Sequence, residues 1–293
     1  MDNQLLRFAR VSMVVARGCV PLQPTKHSHP TYPAAGLFAA LLLRERLRLT
    51  YRGLEAASGI WPADRTGSFE PVVVRPPPSV AGTGRSSAAG DGPAGKPHER
   101  IYAPGRPRLH CLWLSHTSRY FAWRAQRHRG QRGWLKWVLA LWIEPQMLLA
   151  QRVRPGPAGD FSDLVPLASK AADVMPYDQL IADAGYDSEA NHRFCREQLG
   201  ADSLIPAKKR RSAAVVATTP YRQEMVRRLS KTGNPADCAA YRQRWKVETV
   251  MSVVKRRCGE ALTARLEPTQ QAQALLRGIA YNIQRLVILG SSS

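Results

Sequence analysis

Apolar residues recur at helical spacing over residues 34–60. In AAGLFAALLLRERLRL, the residues Leu37, Leu41 and Leu42 return to one side of a helix. LTYRGLEAASGIW begins a second short helix at Leu49, with Thr50 placed to cap it. Residues 1–60 are thus expected to form a small helical N-terminal region. Across residues 61–108 the periodicity stops. That stretch is dense in Pro, Gly, Ser, Ala and Arg, its apolar run is Val72–Val74 and Lys96 is its lone lysine. It predicts disorder.

From Leu109 the pattern changes again. HCLWLSHTSRYFAW, GWLKWVLALWI and MLLAQRVR are aromatic and β-branched and read as three strands, the last two joined by a tight turn at Glu144-Pro145. DFSDLVPLASKAA reads as a helix with Asp160 or Ser162 near its start. QLIADAGYDS reads as a buried strand ending at Asp183-Ala184-Gly185. EANHRFCREQLG is a helix stopped by Gly200, and DSLIPAK is a short strand. KKRRSAAVVATTPYRQEMVRRLSK reads as loop-rich and basic, and QAQALLRGIAYNIQRLVIL as a closing helix. This alternation predicts an α/β sheet domain over residues 109–290.

The stretch YRQRWKVETVMSVVKRR carries most of the chemistry. As one helix turning about 100° per residue, it puts Tyr241, Arg244, Glu248 and Lys255 within an arc of about 60°. Val247, Val250, Met251 and Val254 form an apolar stripe beside that arc. The helix then faces a core and presents one carboxylate among cations and a phenol. A solvated polar face is the simpler explanation of the same pattern.

Charge narrows the partner. The 293 residues hold 43 Lys+Arg against 22 Asp+Glu, a net charge of +21. Such a field favours a polyanion, with nucleic acid first, although an Arg-rich composition also follows from a GC-rich genome. The basic N-terminal helices then read as either a structural cap or a DNA-contacting head. The five cysteines form no CxxC pair, which argues against a zinc site or disulfide framework and for reduced thiols in a cytosol. No apolar run is long enough for a membrane span, and the N-terminus lacks a signal-peptide layout.

Asp183 lies where an apolar strand runs into a glycine turn, and ligands of open α/β sheets bind at the carboxyl ends of strands. A turn aspartate bonded to its own backbone is the competing explanation. Glu248 supplies a second acid from a separate helix. Two converging carboxylates suit Mg²⁺, which few protein ligands hold beside phosphate oxygens.

The spacing Tyr241-x2-Arg244-x3-Glu248-x6-Lys255, with IADAGYDSEANH upstream, resembles the signature of DDE transposases of bacterial insertion sequences. The similarity covers about residues 109–289, and weakly 25–60. The resemblance implies a ribonuclease-H-like catalytic domain in which three acids hold two Mg²⁺ ions, with Mn²⁺ as a substitute. It implies Asp183 and Glu248 as the second and third acids, catalytic and metal-holding. Tyr241, Arg244 and Lys255 would surround double-stranded transposon-end DNA. It further implies target DNA as a partner, a homodimer on paired ends, and a bacterial cytoplasmic location at the nucleoid. Lys208, Lys209, Arg210 and Arg211 read equally as a phosphate-contacting loop or a solvated surface. Trp113, Trp123, Trp134, Trp137 and Trp142 read as strand packing. His110, His116, His128 and His192 show no metal spacing, and helix capping accounts for Asp160 and Asp163.

The family's first acid belongs on the first strand of the domain, before Ser-Thr-Gly. Here that strand reads Arg108-Leu109-His110-Cys111-Leu112-Trp113, without an acid. Arg-Leu-His-Cys-Leu-Trp has codons that a one-base shift turns into Asp-Ser-Thr-Gly-Leu-Trp. Residues from about 62 to 111 would then be an out-of-frame translation between two compensating shifts, which also accounts for their composition. Three functional readings follow: a transposase that cuts and joins DNA with Mg²⁺, a transposase remnant that only binds DNA, and a basic DNA-binding structural protein.

Overall fold

The computed structural model describes residues 3–20, 33–56, 108–116, 135–155, 161–208, 217–259 and 261–290. Most of the Pro/Gly-rich segment, and the chain after the first strand up to residue 134, lie outside these residues. So do Lys209, Arg210 and Arg211.

The three expected strands form as β1 (Arg108–His116), β2 (Leu135–Trp142) and β3 (Met147–Pro155). They pair antiparallel in succession, and β3 begins after a turn in which Gln146 takes φ 52°. β4 (Gln179–Ala182) joins β1 in parallel, and β5 (Asp202–Leu204) joins β4 in parallel. The sheet order is β3-β2-β1-β4-β5.

β2 explains the layering. Nearly every residue of it is buried, so both faces of its pleat need a cover. Val138 and Ala140 face Leu164, Leu167, Ala168 and Ala171 of α4 (Phe161–Val174). Trp137, Leu139 and Leu141 face Val247, Val250, Met251 and Val254 of α8 (Trp245–Cys258), together with Ala274 and Tyr281 of α9 (Glu267–Leu289). The expected apolar stripe of α8 is therefore wholly buried, and Trp137 packs as a strand residue should.

Asp163 corrects a reading. It is not a cap but a fully buried anion in the first turn of α4. Lys136 Nζ lies 2.9 Å away, Arg154 donates to both carboxylate oxygens at 2.6 and 2.5 Å, and Arg152 stands at 3.8 Å. Burial alone raises its carboxyl, and Arg154 and Lys136 more than reverse that, holding it below the usual range. The charge that sequence reading assigned to backbone capping instead ties α4 to β2 and β3.

The N-terminal region also holds an element that the sequence reading passed over. α1 (Asn3–Cys19) precedes α2 (Ala34–Leu47) and α3 (Tyr51–Ala56). Phe8 of α1 and Leu42 and Leu43 of α2 pack on Ala280, Ile283 and Val287 of α9. Inside this contact Glu45 accepts from Arg277 Nε at 3.0 Å and Gln273 Nε2 at 3.1 Å. Arg277 reaches on to the carbonyls of Gly259 and Ala261. Glu45 sits in LRERLR, which as sequence looks like a solvent face.

The stretch read as loop-rich contains a helix, α6 (Pro220–Arg228), and another, α7 (Pro235–Arg242), follows it. Both prolines occupy the first turn, where a missing amide costs nothing, and Asn234 Oδ1 caps α7 by accepting from Ala236 N at 2.9 Å. Arg228 binds Asp202 of β5 at 2.7 Å and Asp237 of α7 at 2.7 Å, so one guanidinium fixes both helices to the sheet edge. α5 (Glu189–Arg193) runs on as a wider turn over Phe194–Gln198 and stops before Gly200, whose φ of 65° suits glycine.

Gly278 lets α9 lie against β3. A Cβ there runs into the side-chain amide of Gln151, which accepts from Trp137 Nε1 at 3.2 Å and donates to the Leu275 carbonyl at 3.0 Å. Gly278→Ala is expected to destabilise the fold by about 1–3 kcal/mol, the usual cost of overpacking, despite the better helix propensity of alanine. Denaturant unfolding measures it, and an unchanged or raised midpoint contradicts the close approach.

Candidate active site

Asp183 follows β4 directly. Its backbone is still extended (φ −74°, ψ 160°), and the chain then turns through a short 3₁₀ segment, Ala184–Tyr186. Asp183 caps that segment, its Oδ1 accepting from Ala184 N at 2.7 Å. The turn-aspartate role is therefore real, but it uses one oxygen. The other, Oδ2, faces Arg244 Nη1 at 3.6 Å.

Glu248 comes from the first turn of α8, and its Oε1 lies 3.2 Å from the same Nη1. A single guanidinium nitrogen thus stands between two acids 65 positions apart. Their oxygens lie no farther apart than the sum of those two distances. The three side chains are partly open to solvent, with exposures of 49%, 55% and 31% for Asp183, Glu248 and Arg244. These are rim interactions, and ion pairs this exposed contribute little to stability.

The arc drawn from one continuous helix needs correction. α7 ends at Arg242 and α8 begins at Trp245. Between them the backbone tightens: Arg244 N bonds the Tyr241 carbonyl and Val247 N bonds the Arg244 carbonyl, each across three residues. Tyr241 therefore approaches from α7. It packs on the cluster of Ile143, Ile181, Leu204, Met225 and Ala240, beneath the end of β4. Burial raises its phenol, the charge of Arg244 opposes that and the charge of Asp183 adds to it. Lys255 does share α8 with Glu248, two turns on and about 10 Å further along the axis. Trp245, Glu248, Ser252 and Arg256 form the exposed stripe of that helix. Trp245, missed in the sequence reading, is 55% exposed beside the acids. A large aromatic at the exposed start of an otherwise amphipathic helix was its signal.

Asp187 supports the site from behind. It is buried, and Arg222 donates to both its oxygens at 2.9 and 3.0 Å while the amide of Lys208 donates at 2.8 Å. This bond fixes where the basic run begins; Lys208 is exposed there, and Lys209 and Arg210 lie outside the described residues. Burial alone raises the Asp187 carboxyl, but the His192 ring, Arg222 and the Lys208 amide together bring it down to about 2. The imidazole stands off at 3.8 Å, so Arg222 and the amide make the short bonds. His192, assigned no role, is fully buried with Nδ1 2.8 Å from Ser203 Oγ.

β1 lies beside β4 and holds no acid. Cys111 pairs with Ala182, so Leu112 is next in register and level with Asp183. Arg108 pairs with Gln179, four residues earlier. Among the described residues no three His, Cys, Asp or Glu side chains group as a metal site. Asp183 and Glu248 are the carboxylates at this rim that could hold Mg²⁺, an ion that needs only one or two.

Residues 104–283, more than half of the chain, match the family described as Transposase DDE domain. The chain belongs to this family. The match spans the five-stranded sheet, Asp183, Tyr241, Arg244, Glu248 and Lys255. No curated protein matches the chain. Membership makes DNA the substrate and transposition the process, and divalent metals are in general use among DDE transposases. Among the described residues no helix is long and apolar enough to cross a membrane.

The low Asp187 carboxyl makes a pH prediction. An unfolded aspartate titrates near ~3.9, so this pair contributes stability above that pH and loses it as pH falls toward 2. Melting temperatures are expected to be level above about pH 5 and to fall steeply below 4. In Asp187→Asn the protein is less stable at neutral pH, by on the order of 2 kcal/mol, and the gap to the unaltered chain narrows below pH 4. A gap that is constant with pH contradicts the assignment.

Proposed function

We propose that this chain is the transposase of a bacterial insertion sequence of the Tyr-Arg-Glu-Lys subgroup. In this reading Asp183 and Glu248 hold Mg²⁺, or Mn²⁺, for DNA cleavage and strand transfer. The observation that carries it is the shared guanidinium, which brings the two acids to one rim of the sheet from separate elements. The strand order β3-β2-β1-β4-β5, with β2 alone antiparallel to its neighbours, supports a ribonuclease-H-like domain over 109–290.

Each residue has a task in this mechanism. Asp183 and Glu248 present oxygens to the cation, which polarises phosphate and activates water when bound. Arg244 and Lys255 place positive charge beside that point to orient phosphates, and Tyr241 props the turn carrying Arg244 from the apolar cluster below. Lys208, with Lys209 and Arg210 after it, contacts phosphates further along. Residues 1–60 add cations from the packed helices, and two copies on paired ends complete the assembly. The protein works on the nucleoid in the bacterial cytoplasm.

A second reading has its own observation. With no acid on β1, one of the three ligands that the family implies is missing, and among the described residues no three His, Cys, Asp or Glu group as a metal site. We therefore favour the remnant reading, a chain that binds transposon DNA without cutting it. A frame disruption over residues 62–111 accounts for the loss, and sequencing the locus tests it. The restored aspartate falls at position 108, which in the present register is about 13 Å from the level of Asp183. A restored strand would sit four residues along, an even slip that keeps each side chain on its face.

Strand transfer with pre-cut ends from the flanking DNA, in Mg²⁺ or Mn²⁺, decides between the readings. The unaltered chain is expected to give no product above the background of Glu248→Ala. Leu112→Asp is expected to raise product at least about tenfold, since losing even the outer support of a metal ligand costs 10- to 100-fold. Arg108→Asp is expected to do nothing. Robust activity of the unaltered chain overturns the remnant reading; activity indifferent to Glu248→Ala overturns the site.

A further inference from the structure

Arg244 is badly placed for a group whose only task is to meet DNA. Its Nη1 lies between Asp183 Oδ2 and Glu248 Oε1, at 3.6 and 3.2 Å, where a cation shared by those oxygens would have to sit. The two acids otherwise face each other as like charges, which a counter-ion relieves. The guanidinium is anchored loosely. It extends from the two-residue turn between α7 and α8, caps neither helix through its side chain, and is 31% exposed. Both of its carboxylate contacts are solvent-facing and individually weak. A DNA phosphate offers the same group a fork-shaped bidentate partner of at least equal charge.

We propose that Arg244 exchanges between these two positions. Without DNA it is the internal counter-ion of Asp183 and Glu248 and competes with a divalent cation. When a phosphate arrives, the guanidinium turns to it and releases the acids to the metal. Metal and DNA binding then favour each other through this one side chain. The coupling is reciprocal, each ligand tightening the other by the same factor. It rests on the reading of Asp183 and Glu248 as metal-holding residues, and it operates in a chain that cannot cleave.

Mn²⁺ binding followed by electron paramagnetic resonance tests it, using the full chain alone and with a short DNA duplex. Asp183→Asn/Glu248→Gln supplies the background of Mn²⁺ held by the duplex itself. The unaltered chain is expected to bind Mn²⁺ weakly alone and roughly 5-fold or more tightly with duplex, the lower end of common couplings. Arg244→Gln is expected to bind Mn²⁺ more tightly than the unaltered chain without duplex and to gain distinctly less than the unaltered chain when duplex is added, keeping only what phosphate oxygens on the metal contribute directly. Arg244→Lys, which keeps the charge, is expected to retain part of the coupling. Melting curves of each variant verify the fold. Equal Mn²⁺ affinity without duplex in the unaltered chain and Arg244→Gln, or a duplex enhancement as large in Arg244→Gln as in the unaltered chain, overturns the exchange. Mn²⁺ binding no better than in the double-acid variant overturns the metal-site reading itself, a separate result.

Discussion

β2 is buried on both faces, and that constraint organises the rest of the molecule. A strand with no solvent side must find a helix layer above and below, and each layer must come from chain that returns to the sheet. α4 supplies one layer and α8 with α9 the other. Because α8 is pinned through Val247, Val250, Met251 and Val254, its opposite side is held at the sheet's rim. Glu248 is placed there as a consequence of packing on the far side of its own helix. The same packing brings in the N-terminal helices, since α9 presents one side to β3 and another to α1 and α2.

The site is an edge site. β4 is four residues long, and the chain leaves the sheet at Asp183 because Ala184–Tyr186 turns it away. Beneath that exit lies the cluster containing Tyr241, and behind it the bonded pair of Asp187 and Arg222. Rigid support thus surrounds three partly exposed ionic groups. On the proposed reading, carboxylates held on such a frame with one arginine between them suit a centre that admits both a hard cation and a bulky polyanion.

What this chain lacks is as local as what it has. Membership of the transposase family, the sheet, Asp183 and Glu248 are present, while the strand adjoining β4 carries no acid. A sheet tolerates such a change because strand pairing uses backbone groups, which any residue but proline supplies. The fold can therefore outlast the chemistry.

Some of this was legible without coordinates. Period-two and period-3.6 patterns marked the strands, α4, α8 and α9, because burial selects apolar residues at the repeat of each element. The spacing from Tyr241 to Lys255, with Asp183 after an apolar strand, named the candidate acids, and this follows from local sequence alone. Other features depended on distant partners. Asp163 and Glu45 look like surface charges in their own segments; Lys136, Arg154 and Arg277 make them buried ones. The break between α7 and α8 lies in tight backbone bonds that a helical wheel ignores, and the first-turn proline of α6 reads as loop until the helix following it is seen. Above all, that Arg244 bridges Asp183 and Glu248, and that Leu112 rather than Arg108 stands level with Asp183, are facts of register and of layers meeting. Strand register and the closing of two helices on a sheet are set by contacts across the whole domain, so only the tertiary structure could decide them.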